Sequence, residues 1–143
     1  MINTIIEAIS AALQDEFGDE YEVRMEELEQ GPEKPCFFIS CRNPASERFP
    51  GNRYFRTNPF CIRYVPVSAE KQRECNQAAE RMYQCLEYVM ITGEDKPIMG
   101  TKMNYEVIDG VLRFFVNYDM FITRQQKNDD AMEKVTGNVT AKG

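Results

Sequence analysis

Residues 99–123 read MGTKMNYEVIDGVLRFFVNYDMFIT, and this stretch decides the fold. Asp109-Gly110 separates two β-prone runs and favours a type I′ turn, in which both central residues have positive φ. The sequence therefore predicts an antiparallel hairpin with arms at residues 99–108 and 111–123. In the second arm, apolar side chains alternate and so share one face of the strand. They are Leu112, Phe114, Val116, Tyr118, Met120 and Ile122.

Three more strands are predicted before this hairpin. Alternation over residues 21–25 predicts a half-exposed strand, and residues 36–41, which start apolar on both faces, predict a central one. Residues 53–65 predict a long strand that is bulged or lies at a sheet edge, because Pro59 has no N–H to donate. Proline, glycine and asparagine in residues 43–52 predict a loop between these strands.

Two amphipathic helices complete the predicted fold. Apolar residues from Ile2 to Phe17 recur at helical spacing, Thr4 and Glu7 fit a capping box, and Gly18 is suited to end the helix. Ser68 is suited to cap a second helix, whose buried stripe is predicted to comprise Cys75, Ala78, Ala79, Met82, Leu86 and Val89.

These elements predict an α+β fold, in which two amphipathic helices pack on a mostly antiparallel sheet of about five strands. The length of 143 residues suits one domain, which we place at residues 1–123. Residues 124–143 are too polar to offset their ordering entropy, so we expect them to form a flexible tail.

Composition argues against several classes of function. The chain has no histidine, which removes the commonest general base and the commonest metal ligand, so we expect no enzyme, no cofactor and no metal site. The five cysteines are odd in number and show no CxxC spacing, which indicates reduced packing residues. No apolar run is long enough to span a bilayer and no signal peptide is apparent, so we expect a protein kept in a cytoplasm without membrane contact.

Charge is segregated along the first half of the chain. Residues 15–33 carry nine acidic side chains, whereas residues 42–63 carry five arginines interleaved with aromatics. Solvent or a partner is the expected neighbour of the acidic stretch, since nothing places its carboxylates together in a pocket. Arginine beside aromatic residues suits protein interfaces and nucleic acid alike. A net charge of −6 favours the protein interface.

Several short motifs, taken together and in order, resemble a family of phage tail terminator proteins from prophages of Gram-positive bacteria. The resemblance covers about residues 1–123. The motifs are Glu29-Gln30-Gly31, Pro35-Cys36-Phe37-Phe38-Ile39, Gly51-Asn52-Arg53-Tyr54 with Arg56, Tyr64-Val65-Pro66, Gly100-Thr101-Lys102-Met103-Asn104-Tyr105-Glu106, and Asp109-Gly110-Val111-Leu112 with Phe114-Phe115-Val116 and Tyr118.

The resemblance implies a structural virion protein, assembled in the bacterial host cytoplasm, that caps the tail tube and ends its polymerisation. It would form the tail side of the head-tail joint. Its implied partners are further copies of itself in a ring, often of six subunits, the tail tube protein, and a neck or head-completion protein. DNA contact would be transient at most. No catalytic residue is carried over.

Opposite charges on one chain predict a repeated contact between different patches, which closes into a ring when its rotation allows. The residues expected at this subunit interface are Glu20, Glu22, Glu26, Glu27, Arg53, Tyr54, Arg56, Phe60 and Arg63. Another neck or tail-completion protein is an alternative that would share the fold and oligomeric habit. A DNA-contacting regulator is a more distant alternative, and an enzyme comes third.

Overall fold

A computed structural model describes residues 1–25, 34–93, 96–124, 129–130 and 133–134. The chain divides into two compact units, which are described separately. Unit 1 comprises Met1–Pro44 and Thr57–Asp119, and unit 2 comprises Ala45–Arg56 and Met120–Gly143. The single domain over residues 1–123 stays a prediction. The predicted flexible tail lies largely outside the described residues and also stays a prediction.

Within the described ranges, two helices and twelve strands follow one another in chain order. They are α1 (Ile2–Phe17), β1 (Glu22–Arg24), β2 (Cys36–Cys41), β3 (Ala45–Phe49), β4 (Arg53–Thr57), β5 (Pro59–Val65), α2 (Lys71–Cys85), β6 (Tyr88–Met90), β7 (Pro97–Met99), β8 (Thr101–Ile108), β9 (Val111–Asn117), β10 (Met120–Thr123), β11 (Asp129–Asp130) and β12 (Glu133–Lys134).

The main sheet of unit 1 has five strands in the order β1-β2-β5-β9-β8. β1 pairs with β2 in parallel, whereas β2–β5, β5–β9 and β8–β9 are antiparallel. This arrangement confirms the predicted α+β class. It also confirms that β2 is an inner strand, since it has a neighbour on each side.

One face of this sheet carries the core and both helices. Cross-strand register places Phe37 beside Tyr64, and Ile62 beside Phe114, on that face. Phe17 of α1 packs on Phe37 with ring centroids 4.8 Å apart, and the ring of Tyr83 in α2 lies 5.1 Å from that of Phe114. Burial of these apolar side chains supplies the main driving force for folding unit 1.

The helices differ from prediction at their ends. α1 starts at Ile2 without a side-chain cap, so Thr4 lies inside the helix and the capping box is wrong, whereas Gly18 ends α1 as predicted, with φ 86°. α2 starts at Lys71, so Ser68 is no cap, and it ends at Cys85. Val89 is buried but belongs to β6, because the chain turns at Leu86.

The predicted hairpin is confirmed at its turn. Asp109 and Gly110 have φ of 52° and 75°, as a type I′ turn requires, and they join β8 to β9. The second arm is shorter than predicted, because β9 ends at Asn117 and β10 belongs to a different sheet. Leu112, Phe114 and the other members of the alternating set up to Tyr118 are fully buried.

We expect Gly110→Val to lower the free energy of unfolding by about 1 kcal/mol or more, because a β-branched residue is strained at positive φ. The added Cβ would also lie 2.9 Å from Cδ of Lys71, which a flexible side chain can relieve. Urea unfolding followed by circular dichroism measures this loss. An unchanged midpoint would show that the turn tolerates any residue at position 110.

The predicted strand at residues 53–65 is two strands, β4 and β5, separated by Asn58. Asn58 is fully buried; its N–H donates to Asp119 Oδ1 and its Nδ2 donates to the Tyr118 carbonyl, both at 2.9 Å. Pro59 is therefore the first residue of an inner strand, where its missing N–H costs no ladder bond. Of the two predicted alternatives, a bulge or an edge position, the edge position is wrong, because β5 lies between β2 and β9.

The predicted loop at residues 43–52 contains strand β3, which pairs with β4. Its sequence, Ala-Ser-Glu-Arg-Phe, has little apolar alternation, and its residues are exposed apart from Phe49, which is half-buried. β3 is held by backbone hydrogen bonds to β4 and buries neither of its faces. Its sequence therefore lacks the apolar alternation by which a strand is recognised.

We expect a chain that ends at Arg124 to unfold at nearly the same temperature as the full chain, because residues 125–143 lack apolar periodicity. Differential scanning calorimetry of both chains measures the difference. A loss of several degrees would show that the last nineteen residues pack on the rest of the protein or on a second copy.

Candidate subunit interface

Unit 2 contains a three-stranded sheet in the order β10-β4-β3 that displays aromatic and basic side chains. Its antiparallel register pairs Phe121 with Phe55 and Thr123 with Arg53, so these side chains share one face. The Phe121 ring lies 4.9 Å from that of Phe55 and 5.4 Å from that of Phe49. Phe121 nevertheless remains 55% exposed.

Arginine accompanies the aromatics on both faces of this sheet. On the first face, Cζ of Arg53 lies 5.7 Å from the centroid of the Phe121 ring. On the opposite face, Cζ of Arg124 lies 4.7 Å from the Tyr54 ring. Both distances suit cation–π attraction. Arg56 follows Tyr54 by two residues and shares its face, and its shielded Nε has no hydrogen-bond acceptor among the described residues.

Two residues expected at the interface lie instead in the main sheet of unit 1. Phe60 is 1% exposed and packs against Tyr118, with ring centroids 6.0 Å apart, so its inclusion at a surface contact is wrong. Its register partner is the buried Val116, and it shares the core face of β5 with Ile62 and Tyr64. Arg63 is half-buried on β5, with Cζ 5.1 Å from the Phe38 ring.

The structure describes two of the four acidic residues expected at the interface. Glu20 is exposed, and Glu22 on β1 accepts hydrogen bonds from the guanidinium of Arg24, at 2.6 Å from the nearer nitrogen. This pair is partly exposed, so it contributes little to stability. Glu26 and Glu27 lie outside the described residues, so their role stays a prediction.

A basic face of the main sheet was not predicted from the sequence. Register places Arg63 beside Arg113, and Arg113 beside Glu106, on the face opposite the helices. Arg42, exposed just beyond β2, has its Cζ 5.2 Å from the Phe115 ring on the same face. The period-two spacing of Phe38, Ser40 and Arg42 indicates that they share one face of the strand. Only the cross-strand register shows which residues of the other strands lie on that face.

The cysteines and buried tyrosines carry structural contacts. None of the five cysteines forms a disulfide bond with another described residue, and burial raises the pKa of the Cys85 thiol to about 12. Such a thiol stays protonated at neutral pH and is a poor nucleophile.

Two buried tyrosines make hydrogen bonds within unit 1. Tyr64 donates a hydrogen bond to Glu74, and the pKa of the Tyr64 hydroxyl is raised mainly by burial and further by that bond. Tyr118 donates to the Leu86 carbonyl at 2.7 Å.

Metal binding and membrane crossing find no support in the part of the chain that the structure describes. There, no group of three or more acidic, cysteine or histidine side chains is arranged to hold a metal ion. Neither described helix is long and apolar enough to cross a membrane. The exposed features are instead an aromatic and basic small sheet, a basic face of the main sheet and open surface grooves, which are features of binding surfaces.

Comparison with known proteins gives a family for this chain. No similarity to a curated protein was found. A family model described as phage tail terminator protein matches residues 4–130. This match covers α1 from its third residue, α2 and β1–β11, which include every strand of the two larger sheets. The chain therefore belongs to the phage tail terminator family.

Proposed function

We propose that this protein caps the phage tail tube, ends its polymerisation and forms the tail side of the head-tail joint. The observation that supports this most is the family match over residues 4–130, since the family is one of structural tail proteins. We further propose that the protein has no catalytic activity. Assembly in the bacterial host cytoplasm, followed by incorporation into the virion tail, is part of the same proposal.

The working form that we propose is a closed ring of identical subunits, with six as the expected number. A contact between two different patches of one protein is heterologous, and such contacts produce rings when their rotation closes. The proposed patches are the acidic surface around Glu20 and Glu22 and the arginine-bearing strand β4. The tail tube protein and a neck or head-completion protein are the proposed partners at the two ends of the ring.

We assign three residues of β4 to this contact: Arg53 on one face of the small sheet, and Tyr54 and Arg56 on the other face. Arg53 is exposed and stacks over Phe121, so its aliphatic stem covers apolar surface while its charge remains available. Screened surface charges contribute little energy apiece and act mainly on orientation and encounter rate. Burial of aromatic surface would therefore supply most of the affinity, and salt should weaken assembly only in part.

Reversing both arginines of β4 tests this contact. We expect the double variant R53E/R56E to assemble more weakly than the parent in light scattering, with and without the tail tube protein. We also expect it to terminate fewer tubes in electron micrographs. Circular dichroism must first show that the variant folds.

The matched control is K71E/R73E, which makes the same change in charge at the start of α2, where acidic side chains suit the helix dipole. We expect this control to assemble and terminate tubes as the parent does. If the folded R53E/R56E variant also does so, the proposed charge-matched contact is wrong. Loss of assembly in both double variants would indicate a general effect of net charge and would likewise contradict it.

Contact with DNA is a second candidate, and the basic face of the main sheet favours it. Arg42, Arg63 and Arg113 lie on that face with the rings of Phe38 and Phe115, an arrangement that suits an anionic polymer. Strong binding of duplex DNA at moderate salt, lost as salt is raised, would support it. Absence of binding to the isolated protein would remove this candidate.

A further inference from the structure

An open apolar groove lies between α1 and β6 in unit 1. Its volume is about 310 Å³. A dry apolar cavity of about 150 Å³ is large enough to bind benzene, so the groove has room for a phenyl ring. The residues along it are Ala8, Ala11, Ala12, Asp15, Glu16, Cys85, Tyr88, Val89 and Met90. On the α1 side the lining consists of three alanines followed by two carboxylates, and on the β6 side it consists of larger apolar side chains.

The strand side of the groove continues into an exposed apolar surface. β6 pairs with β7 so that Tyr88 faces Met99 and Met90 faces Pro97, which places these four side chains on one face of the ribbon. Tyr88, Met90 and Met99 are 52%, 54% and 50% exposed. Exposed apolar residues that are contiguous, and not scattered singly, mark interaction sites. Methionine adapts its shape readily to a partner.

A matching aromatic side chain is exposed elsewhere on the same chain. The ring of Phe121 in β10 packs against the rings of Phe49 and Phe55, and 55% of its surface remains exposed. The rings beneath it restrict its motion, so little conformational entropy would be lost when a partner binds it. Aromatic side chains of this kind are enriched among the residues that dominate binding energy.

Charges beside the two features are complementary. Asp15 lies on the groove and has no ion pair with another described residue, whereas Glu16 beside it is paired with Arg81 at 2.9 Å. Arg53 lies over the exposed Phe121 ring. An aromatic side chain flanked by a cation thus matches an apolar groove flanked by an anion, which would fix the orientation of the contact.

We propose that Phe121 of one copy inserts into the groove between α1 and β6 of a second copy, with Arg53 of the first beside Asp15 of the second. The contact is heterologous, since groove and side chain are different parts of the chain. This inference rests on the proposed ring and identifies the residues that join its subunits. It predicts that the apolar pair provides affinity and that the charged pair provides orientation.

Photo-crosslinking of the full chain tests the contact directly. Phe121 is replaced by p-benzoylphenylalanine, the protein is irradiated with and without the tail tube protein, and adducts are mapped by mass spectrometry. We expect adducts that join two copies of this chain at Tyr88, Met90 or an adjacent groove residue. Adducts confined to the tail tube protein, adducts elsewhere on this chain, or no adducts between copies would overturn the proposal.

Two single substitutions provide an independent measurement. F121A removes the inserted ring, and A11F fills the groove at an exposed position of α1. Each is expected to raise the concentration needed for assembly by about tenfold or more, because the contact would lose the free energy of burying one phenyl ring. The control I108A shortens an apolar side chain that is 44% exposed outside both features and should assemble as the parent does.

Circular dichroism must show that each variant folds. If F121A and A11F assemble like the parent, the groove contact is wrong. Tubes terminated normally by these variants would then leave the proposed function standing without this contact. Crosslinks in the groove from a protein that terminates no tubes would instead support the contact and contradict the function.

Discussion

Replacing Phe114 with alanine is expected to lower the free energy of unfolding by about 3–5 kcal/mol, the usual range for deleting a fully buried phenyl ring. Phe114 is 0% exposed at the centre of β9, between Ile62 and Tyr105 in the sheet and under Tyr83 of α2. Helix α2 and the strands β5 and β8 surround the ring, so the site cannot collapse easily around a cavity. Urea denaturation with an unchanged slope measures the loss.

The neighbouring residue provides the control for this variant. Phe115 points to the opposite face of β9, where it is half-buried beside Arg42. We expect F115A to cost less than half as much as F114A, because less of its ring leaves water on folding. Equal losses in the two variants would contradict the assignment of the two faces of the main sheet.

Replacing Asn58 with alanine is expected to lower the free energy of unfolding by about 1–3 kcal/mol, because it leaves the buried Tyr118 carbonyl without its donor. Asn58 Nδ2 makes this bond at 2.9 Å, and the Asn58 carbonyl accepts the Tyr118 N–H at 3.0 Å. The Asn58 N–H would still donate to Asp119 in the variant, so the break between β4 and β5 should persist.

The variant N104A is the matched control, because Asn104 is exposed and its Nδ2 bonds only to the nearby Lys102 carbonyl among the described residues. Surface substitutions of this kind usually change stability by about 0.5 kcal/mol or less. Thermal unfolding of both variants gives the comparison. If N58A is as stable as N104A, the Asn58 hydrogen bonds do not hold the strand break in place.

The sequence predicted those elements whose conformation depends on residues close to one another in the chain. The α1 periodicity and the Asp109-Gly110 turn are examples, since both depend on neighbours within a few residues. The split of residues 53–65 was not predictable in this way. It depends on Asn58 bonding to Tyr118, sixty residues away, and on nothing in the adjacent sequence except Pro59.

Prediction of the interface met a different limit. Composition identified the arginine and aromatic stretch, but strand register decides which side chains are exposed. Register places Arg53 with Phe121 in unit 2, and the alternation after Asn58 places Phe60 in the core of unit 1. The two faces of a strand differ in exposure, and the sequence of one strand does not show which of its faces is buried.

Tube length in a reconstituted assembly tests the proposed function most directly. Purified tail tube protein is polymerised with increasing amounts of the full-length protein, and tube lengths and ends are recorded by electron microscopy. The account predicts that lengths fall as the amount of this protein rises, with additional ring-shaped density at one end of each tube. Tubes of unchanged length without density at either end would contradict the claim that this protein caps the tail tube.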